Sequence, residues 1–183
     1  MTDFIFKTKP YLHQQQAFDA SSEKGDFALF MDMGTGKTKV TIDTIGKQFE
    51  NGNIDFSLIV APKGVVANWI REIETHLPER IEREIVLWKP NLTKTKRDEL
   101  NALYEKSKAL KILLMNVEAF STKKGVDVAK VFTKRFQTFM VVDESTTIKN
   151  RQAKRTKALC AVGREARFRR ILTGSPVTKS PLD

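Results

Sequence analysis

The chain has 183 residues, 40% hydrophobic and 30% charged, with 32 Lys and Arg against 22 Asp and Glu for a net charge of +10. That length and apolar content fit one domain with a full core and exclude disorder along the whole chain. No apolar run approaches the ~18 residues of a membrane span, and the start MTDFIFKTK has no signal-peptide core, so an intracellular protein is expected.

A single cysteine, Cys160, excludes an internal disulfide and a cysteine-cluster metal site, and is read as a small buried hydrophobe. The two histidines, His13 and His76, are too few for a metal centre and read as surface or packing residues.

Six short apolar runs suit strands buried on both sides of a parallel sheet: FALFM (27–31), SLIVAP (57–62), REIVLW (83–88), KILLMN (111–116), FMVVDE (139–144) and RRILTG (169–174). Helical patterns separate them. Val66, Trp69, Ile70, Ile73 and Leu77 recur at helical spacing, which predicts an amphipathic helix with Trp69 in the core. KTKRDELNALYEKS (94–107) and VDVAKVFTKRF (126–136) predict two more helices, the first mostly charged. In NRQAKRTKALCAV (150–162), Arg151, Lys154 and Arg155 stand at i, i+3 and i+4 on one face of a further helix. From Arg151 to Arg170 there are eight bases against one acid, Glu165, a stretch suited to polyanions.

The most chemically specific stretch is LFMDMGTGKTKVTID (29–43). A strand, a glycine turn and a helix starting at Gly-Lys-Thr can hold phosphate. Gly34 and Gly36 admit positive φ, and the helix start offers unpaired N–H groups and the positive dipole end. Lys37 would reach the β- and γ-phosphates, and the Thr38 hydroxyl would bind Mg²⁺. The usual G-x-x-x-x-G-K-[ST] spacing is incomplete, because its first glycine position holds Met31.

A second element supports the first. In FMVVDEST, Asp143 and Glu144 end an apolar strand and so fall at the carboxyl edge of the sheet, where ligands of open α/β sheets bind. Asp143 suits Mg²⁺, and Glu144 suits the attacking water.

In their order, these motifs resemble the first RecA-like lobe of superfamily two helicases, most closely the Swi/Snf-type double-stranded DNA translocases. DMGTGKT (32–38) is similar to motif I of that family, in which the absent first glycine is normal. LIVAPKGVVANWIREI (58–73) is similar to motif Ia, LLMNVEAF (113–120) to motif Ib, VVDESTTIKN (141–150) to motif II and ILTGSPVTKSPLD (171–183) to motif III. KPYLHQQQAF (9–18) resembles the adenine-recognising glutamine motif, with Gln14 in the register that fits best and Gln15 and Gln16 as alternatives.

The resemblance implies an α/β fold: a RecA-like P-loop NTPase lobe with a mostly parallel central sheet and helices on both faces, spanning residues 1–183. It implies ATP and Mg²⁺ as cofactors and Lys37, Asp143 and Glu144 as catalytic residues. Gln14, Gly34, Thr35, Gly36, Lys37 and Thr38 would bind nucleotide, and Thr38 and Asp143 the metal. Pro62, Lys63, Asn116, Glu118 and Lys149 would line a nucleic-acid track, and Thr173, Gly174 and Ser175 would couple ATP to it. The implied partners are double-stranded DNA and a second RecA-like lobe carrying an arginine finger, which this chain lacks.

The family's usual Asp-Glu-Ala-His is Asp-Glu-Ser-Thr here. That keeps the hydrolytic carboxylates and changes the residues through which motif II meets motif III. A DNA-stimulated ATPase moving along duplex DNA is the expected function. A strand-separating helicase lobe and a non-catalytic nucleic-acid scaffold with a vestigial pocket are the alternatives.

Overall fold

The computed structural model describes residues 4–91, 93–105, 107–148 and 150–174. All six anticipated runs form strands: β1 (Asp26–Phe30), β2 (Phe56–Ala61), β3 (Arg83–Leu87), β4 (Leu110–Asn116), β5 (Thr138–Val142) and β6 (Phe168–Thr173). They make one sheet in the order β1-β6-β5-β2-β4-β3, and every neighbouring pair is parallel.

The helices are α1 (Leu12–Ser21), α2 (Lys37–Glu50), α3 (Val66–His76), α4 (Lys94–Ala102), α5 (Lys123–Arg135) and α6 (Lys154–Gly163). Two single 3₁₀ turns, Val117–Ser121 and Ser145–Ile148, follow β4 and β5. The hydrophobic pattern did not announce them.

Alternation along the strands divides the core in two. Ile59 and Ala61 of β2 pack with Phe18 of α1, Val40 and Ile45 of α2 and Trp69 and Ile73 of α3. Phe56, Leu58 and Val60 of the same strand face Leu100 of α4, Phe132 of α5 and Leu159 and Val162 of α6. Chain direction explains the division. α2 and α3 connect strands stepping away from β1, whereas α4, α5 and α6 connect strands stepping back towards it. With crossovers of one hand, the two sets fall on opposite faces. The inner strands β2 and β5 are buried throughout, while β1 and β3, at the edges, are partly exposed.

Three local expectations are corrected. Arg151 does not share a helix face with Lys154 and Arg155, because α6 starts at Lys154. The Asn150 side chain accepts the Gln152 N–H at 2.9 Å, a local turn that competes with helix before that point. Cys160 is exposed, because α6 turns Thr156, Leu159, Val162 and Gly163 inward and leaves the cysteine beside that stripe.

Arg170 is not part of a basic surface. It is 1% exposed on the inward side of β6, and its guanidinium donates to the carbonyls of Ser21, Lys24 and Gly25 at the end of α1 and to that of Arg169. Burial pushes its pKa down to about 10, so it stays charged at neutral pH. Neighbouring Arg169 pairs with Asp26, and Arg167 is tied to Asn53 and Gln137. The basic surface therefore narrows to the residues around α6.

Inside α2, Lys39 and Asp43 form a buried pair at 2.6 Å, with the Lys39 ammonium 5.3 Å from the centre of the Phe6 ring. Burial, opposed by the Lys39 contact, raises the Asp43 pKa from 3.8 to about 6. The folded protein thus holds this proton more tightly than the unfolded chain. The stability it contributes is complete below 3.8 and is lost as pH rises through about 6.

Lys39→Met strands the carboxylate and is expected to cost about 3 kcal/mol near pH 7. The loss should shrink near pH 5, where Asp43 takes up a proton. Urea unfolding at the two pH values checks this, and a larger loss at the lower pH contradicts it.

Candidate active site

Every strand points the same way, so every segment leaving a strand's carboxyl end emerges on one edge of the sheet. The stretch after β1 opens this edge. Gly34 and Gly36 take φ of 79° and 89°, a conformation that side-chain-bearing residues rarely adopt. They turn the chain back so that α2 begins at Lys37. Asp32 closes the turn by accepting from the Thr35 hydroxyl at 2.7 Å. The first helical bond runs from Val40 N–H to the Gly36 carbonyl, which leaves the N–H groups of Lys37, Thr38 and Lys39 ahead of the ladder. The first turn of α2 carries no acid, so nothing there opposes an anion.

Lys37 is buried and spans its own loop, donating to the carbonyls of Met31 at 2.8 Å and Asp32 at 2.9 Å. An ammonium has three donors, so one remains.

Helix α1 closes the loop from above. Gln14, 6% exposed, donates from Nε2 to the Thr35 carbonyl at 3.1 Å and accepts the Tyr11 N–H at 3.0 Å. His13 Nε2 also meets the Thr35 carbonyl, at 2.9 Å. Contact with Gln14 explains a second demand on Gly36, since a Cβ there would lie 2.3 Å from Gln14 Nε2. Gln15 turns away to Asp19, and Gln16 is exposed. Gln14 is therefore the glutamine that meets the loop.

The carboxylates follow β5. Asp143, 7% exposed, continues the ladder through its N–H to the Val60 carbonyl. Its Oδ1 accepts the Glu144 N–H, and its Oδ2 accepts the Trp69 indole N–H, both at 2.9 Å. Each oxygen keeps one lone-pair direction. Glu144 has φ of 47°, the only positive value on a non-glycine residue among those described. That conformation costs about 1–3 kcal/mol and clusters at functional sites. Sequence reading placed Trp69 in the core but missed its bond to Asp143, because periodicity reports burial and not the direction of an N–H.

β6 lies between β1 and β5, so the loop and the carboxylates are two strand spacings apart, about 10 Å. Thr173 stands opposite Phe30 at the end of β1 and is 2% exposed. Gly174 sits so close to the phosphate-type loop that a Cβ would lie 2.9 Å from Met33 Cγ. Ser175 and Lys149 lie outside the described residues.

The other half of the edge holds the remaining candidates. Ala61 of β2 pairs with Asn116 of β4, so Pro62 and Lys63 emerge beside Asn116. A cavity of about 560 Å³ is lined by Lys63, Val66, Ala67, Trp88, Lys89 and Asn116, together with Leu87, Pro90 and Asn91. Lys63 and Asn116 are thus brought together, whereas Pro62 and Glu118 do not line it. Asn116 Oδ1 also caps the following 3₁₀ turn through the Ala119 N–H at 3.0 Å. Glu118 is exposed and carries the charge that phosphate repels. Trp88 and Lys89 were missed because they follow the edge strand β3, a region with no motif.

Among the described residues, no group of three or more His, Cys, Asp or Glu could hold a metal by itself, and no helix is long and apolar enough to cross a membrane.

The family model of the SNF2-related domain matches residues 19–183. The chromatin-remodeling ATPase INO80 of Saccharomyces cerevisiae is 30% identical over 154 residues, covering 81% of this chain and 10% of that protein. The probable ATP-dependent DNA helicase CHR23 of Arabidopsis thaliana is 30% identical over 158 residues, covering 81% of this chain and 13% of that protein. The chain thus spans only a small part of the length of these relatives.

Among solved structures, the Sulfolobus solfataricus SWI2/SNF2 ATPase core in complex with dsDNA matches with a TM-score of 0.69 at 21% identity, over 96% of this chain and 34% of that one. The UvsW helicase of bacteriophage T4 matches with a TM-score of 0.65 at 14% identity, over 92% of this chain and 53% of that one. These likenesses establish the RecA-like ATPase-core fold, and the sequence match establishes kinship: the chain belongs to the SNF2-related domain family.

Proposed function

We propose that this chain is the ATP-binding motor lobe of a DNA-stimulated ATPase that moves along double-stranded DNA. The observation that carries the reading is the placement of the Lys37 loop and the Asp143–Glu144 pair on the same sheet edge, with only β6 between them. A phosphate chain held at the α2 start and a carboxylate pair across β6 are the two halves of a hydrolytic site.

The residues fit Mg²⁺. Asp143 keeps a lone-pair direction on each oxygen after its two hydrogen bonds. Thr38, in the first turn of α2, and Asp143 would hold the ion, which when bound neutralises charge on the β- and γ-phosphates. Lys37 gives its remaining donor to the phosphates, with Gly34, Thr35 and Gly36 shaping the cradle. Glu144 orients and deprotonates the attacking water.

Gln14 selects the base. With one donor and one acceptor used, it retains one of each, the complement of adenine N7 and its amino group. Guanine presents two acceptors on that edge and is refused one hydrogen bond. Gly174, against the loop through Met33, and Thr173 before it, opposite Phe30, carry the state of the phosphates into β6.

Lys63 and Asn116 are proposed contacts of a nucleic-acid backbone, with Pro62, Glu118 and Lys149 placed by resemblance alone. The SWI2/SNF2 core of similar fold was solved with dsDNA, and the net charge of +10 favours such a partner. Residues 1–183 are read as one lobe, acting with a second that supplies the arginine finger.

Four variants of the full-length protein check the reading. Lys37→Ala should abolish ATP binding, whereas Glu144→Gln should retain it and lower turnover at least about 100-fold. Unchanged hydrolysis in either variant refutes the assignment. Gln14→Ala should reduce the preference for ATP over GTP roughly tenfold, measured as the ratio of KM values. Lys63→Ala should lower the slope of log DNA affinity against log salt by about 1, with no change in sequence preference.

A further inference from the structure

We propose that Trp69 is a positioning residue that links nucleic acid in the Lys63–Trp88 cavity to the metal-binding carboxylate, through the 2.9 Å hydrogen bond from its indole nitrogen to Asp143 Oδ2. The proposal rests on the nucleotide and nucleic-acid reading above and assigns a residue to the path between the two sites.

Packing alone does not require this bond. Trp69 is fully buried in a hydrophobic cluster, where a phenyl ring would also fill space. Trp88, the chain's other tryptophan, lines the cavity and makes no indole hydrogen bond among the described residues. Trp69 instead spends its only donor on a carboxylate, and such charge-assisted bonds are about twice as strong as neutral ones.

The bond also fixes Asp143. Its Oδ1 is held by the Glu144 N–H and its Oδ2 by Trp69, so the carboxylate plane has a donor on each oxygen. Removing the Trp69 donor leaves one anchor, about which the carboxylate can turn. A ligating carboxylate that loses such an outer partner typically loses about 10–100-fold in metal affinity.

The other end of the link is the first turn of α3. Val66 and Ala67 line the cavity with Lys63, and Val65 N–H is bonded to the Pro62 carbonyl at 2.9 Å. Trp69 lies on the same helix, three residues beyond Val66 and less than one turn of about 5.4 Å away. A helix moves as a unit, so a strand pressing on the cavity wall shifts the indole that holds Asp143. The nucleic-acid half of the edge thereby touches the nucleotide half at one hydrogen bond.

The test is Trp69→Phe in the full-length protein, which keeps an aromatic ring and removes the donor. Mn²⁺ binding with a non-hydrolysable ATP analogue, read from the paramagnetic resonance of free Mn²⁺, should weaken about tenfold. Stimulation of hydrolysis by duplex DNA should fall about fivefold or more. ATP-analogue affinity in EDTA and DNA affinity without nucleotide should stay at wild-type values.

Wild-type Mn²⁺ affinity and wild-type DNA stimulation together overturn the proposal. So does a loss of stimulation explained by weaker DNA binding, since Trp69 would then only support the cavity wall. Should the phenylalanine variant unfold, 3-benzothienylalanine at position 69 keeps the bicyclic volume, removes only the donor and is judged by the same readings. If the wild-type protein shows no DNA-stimulated hydrolysis, the motor reading fails, while the Mn²⁺ comparison still decides whether Trp69 positions Asp143.

Discussion

The constraint on which the molecule depends is the common direction of its six strands. Because every strand is parallel to its neighbours, all carboxyl ends lie on one edge and all helices return on the faces. The faces are consumed by packing: Phe56, Leu58 and Val60 on one side, Ile59 and Ala61 on the other. Polar chemistry is left to the edge, where chain segments turn and backbone groups lack strand partners. That edge is divided. The ends of β1, β6 and β5 gather the glycine loop, Gly174 and the acidic pair, while the ends of β2, β4 and β3 surround the cavity with Lys63, Asn116 and Trp88. β5 and β2 are neighbours. The Trp69–Asp143 bond crosses the line between the halves there.

Two sets of interior charged groups are held by specific partners. Arg170 brings a cation to the carboxyl end of α1, where the helix dipole and the carbonyls of Ser21, Lys24 and Gly25 receive it. It fastens α1 to β6, so the helix that presents Gln14 to the loop is anchored at its far end to the strand that ends in Thr173. The Lys39–Asp43 pair fixes the inner face of α2 against Phe6 of the amino-terminal segment. Buried pairs of this kind add little net stability but are costly to break singly, which makes the register of α2 hard to change.

Close approach and strain concentrate at the same edge. Gly36 is required twice, by its left-handed backbone and by the proximity of Gln14. Gly174 lets β6 run against Met33. Glu144 adopts positive φ without being glycine, immediately after the residue whose carboxylate is clamped on both oxygens. A fold optimised only for stability would relax these positions. Their retention beside a phosphate-type loop and an acidic pair fits a site in which the placement of charged groups is what the fold maintains.

The architecture was legible in the sequence because strands and covering helices are written in periodicity. Continuous runs such as SLIVA and KILLM, buried on both faces, form the inner strands β2 and β4, and the Val66-to-Leu77 spacing forms α3. The glycine loop and Asp143–Glu144 were legible because backbone conformation and charge restrict residue type. Tertiary structure alone decided the matters that depend on direction and on distant partners. It took Arg170 out of a basic run and into the interior, left Cys160 outside, chose Gln14 over its two neighbours and joined Trp69 to Asp143 across 74 positions of sequence. Composition and spacing specify which side chains must be buried. Which atom an N–H or a guanidinium meets there is set by how the helices lie across the sheet, and that emerges only once the chain is folded.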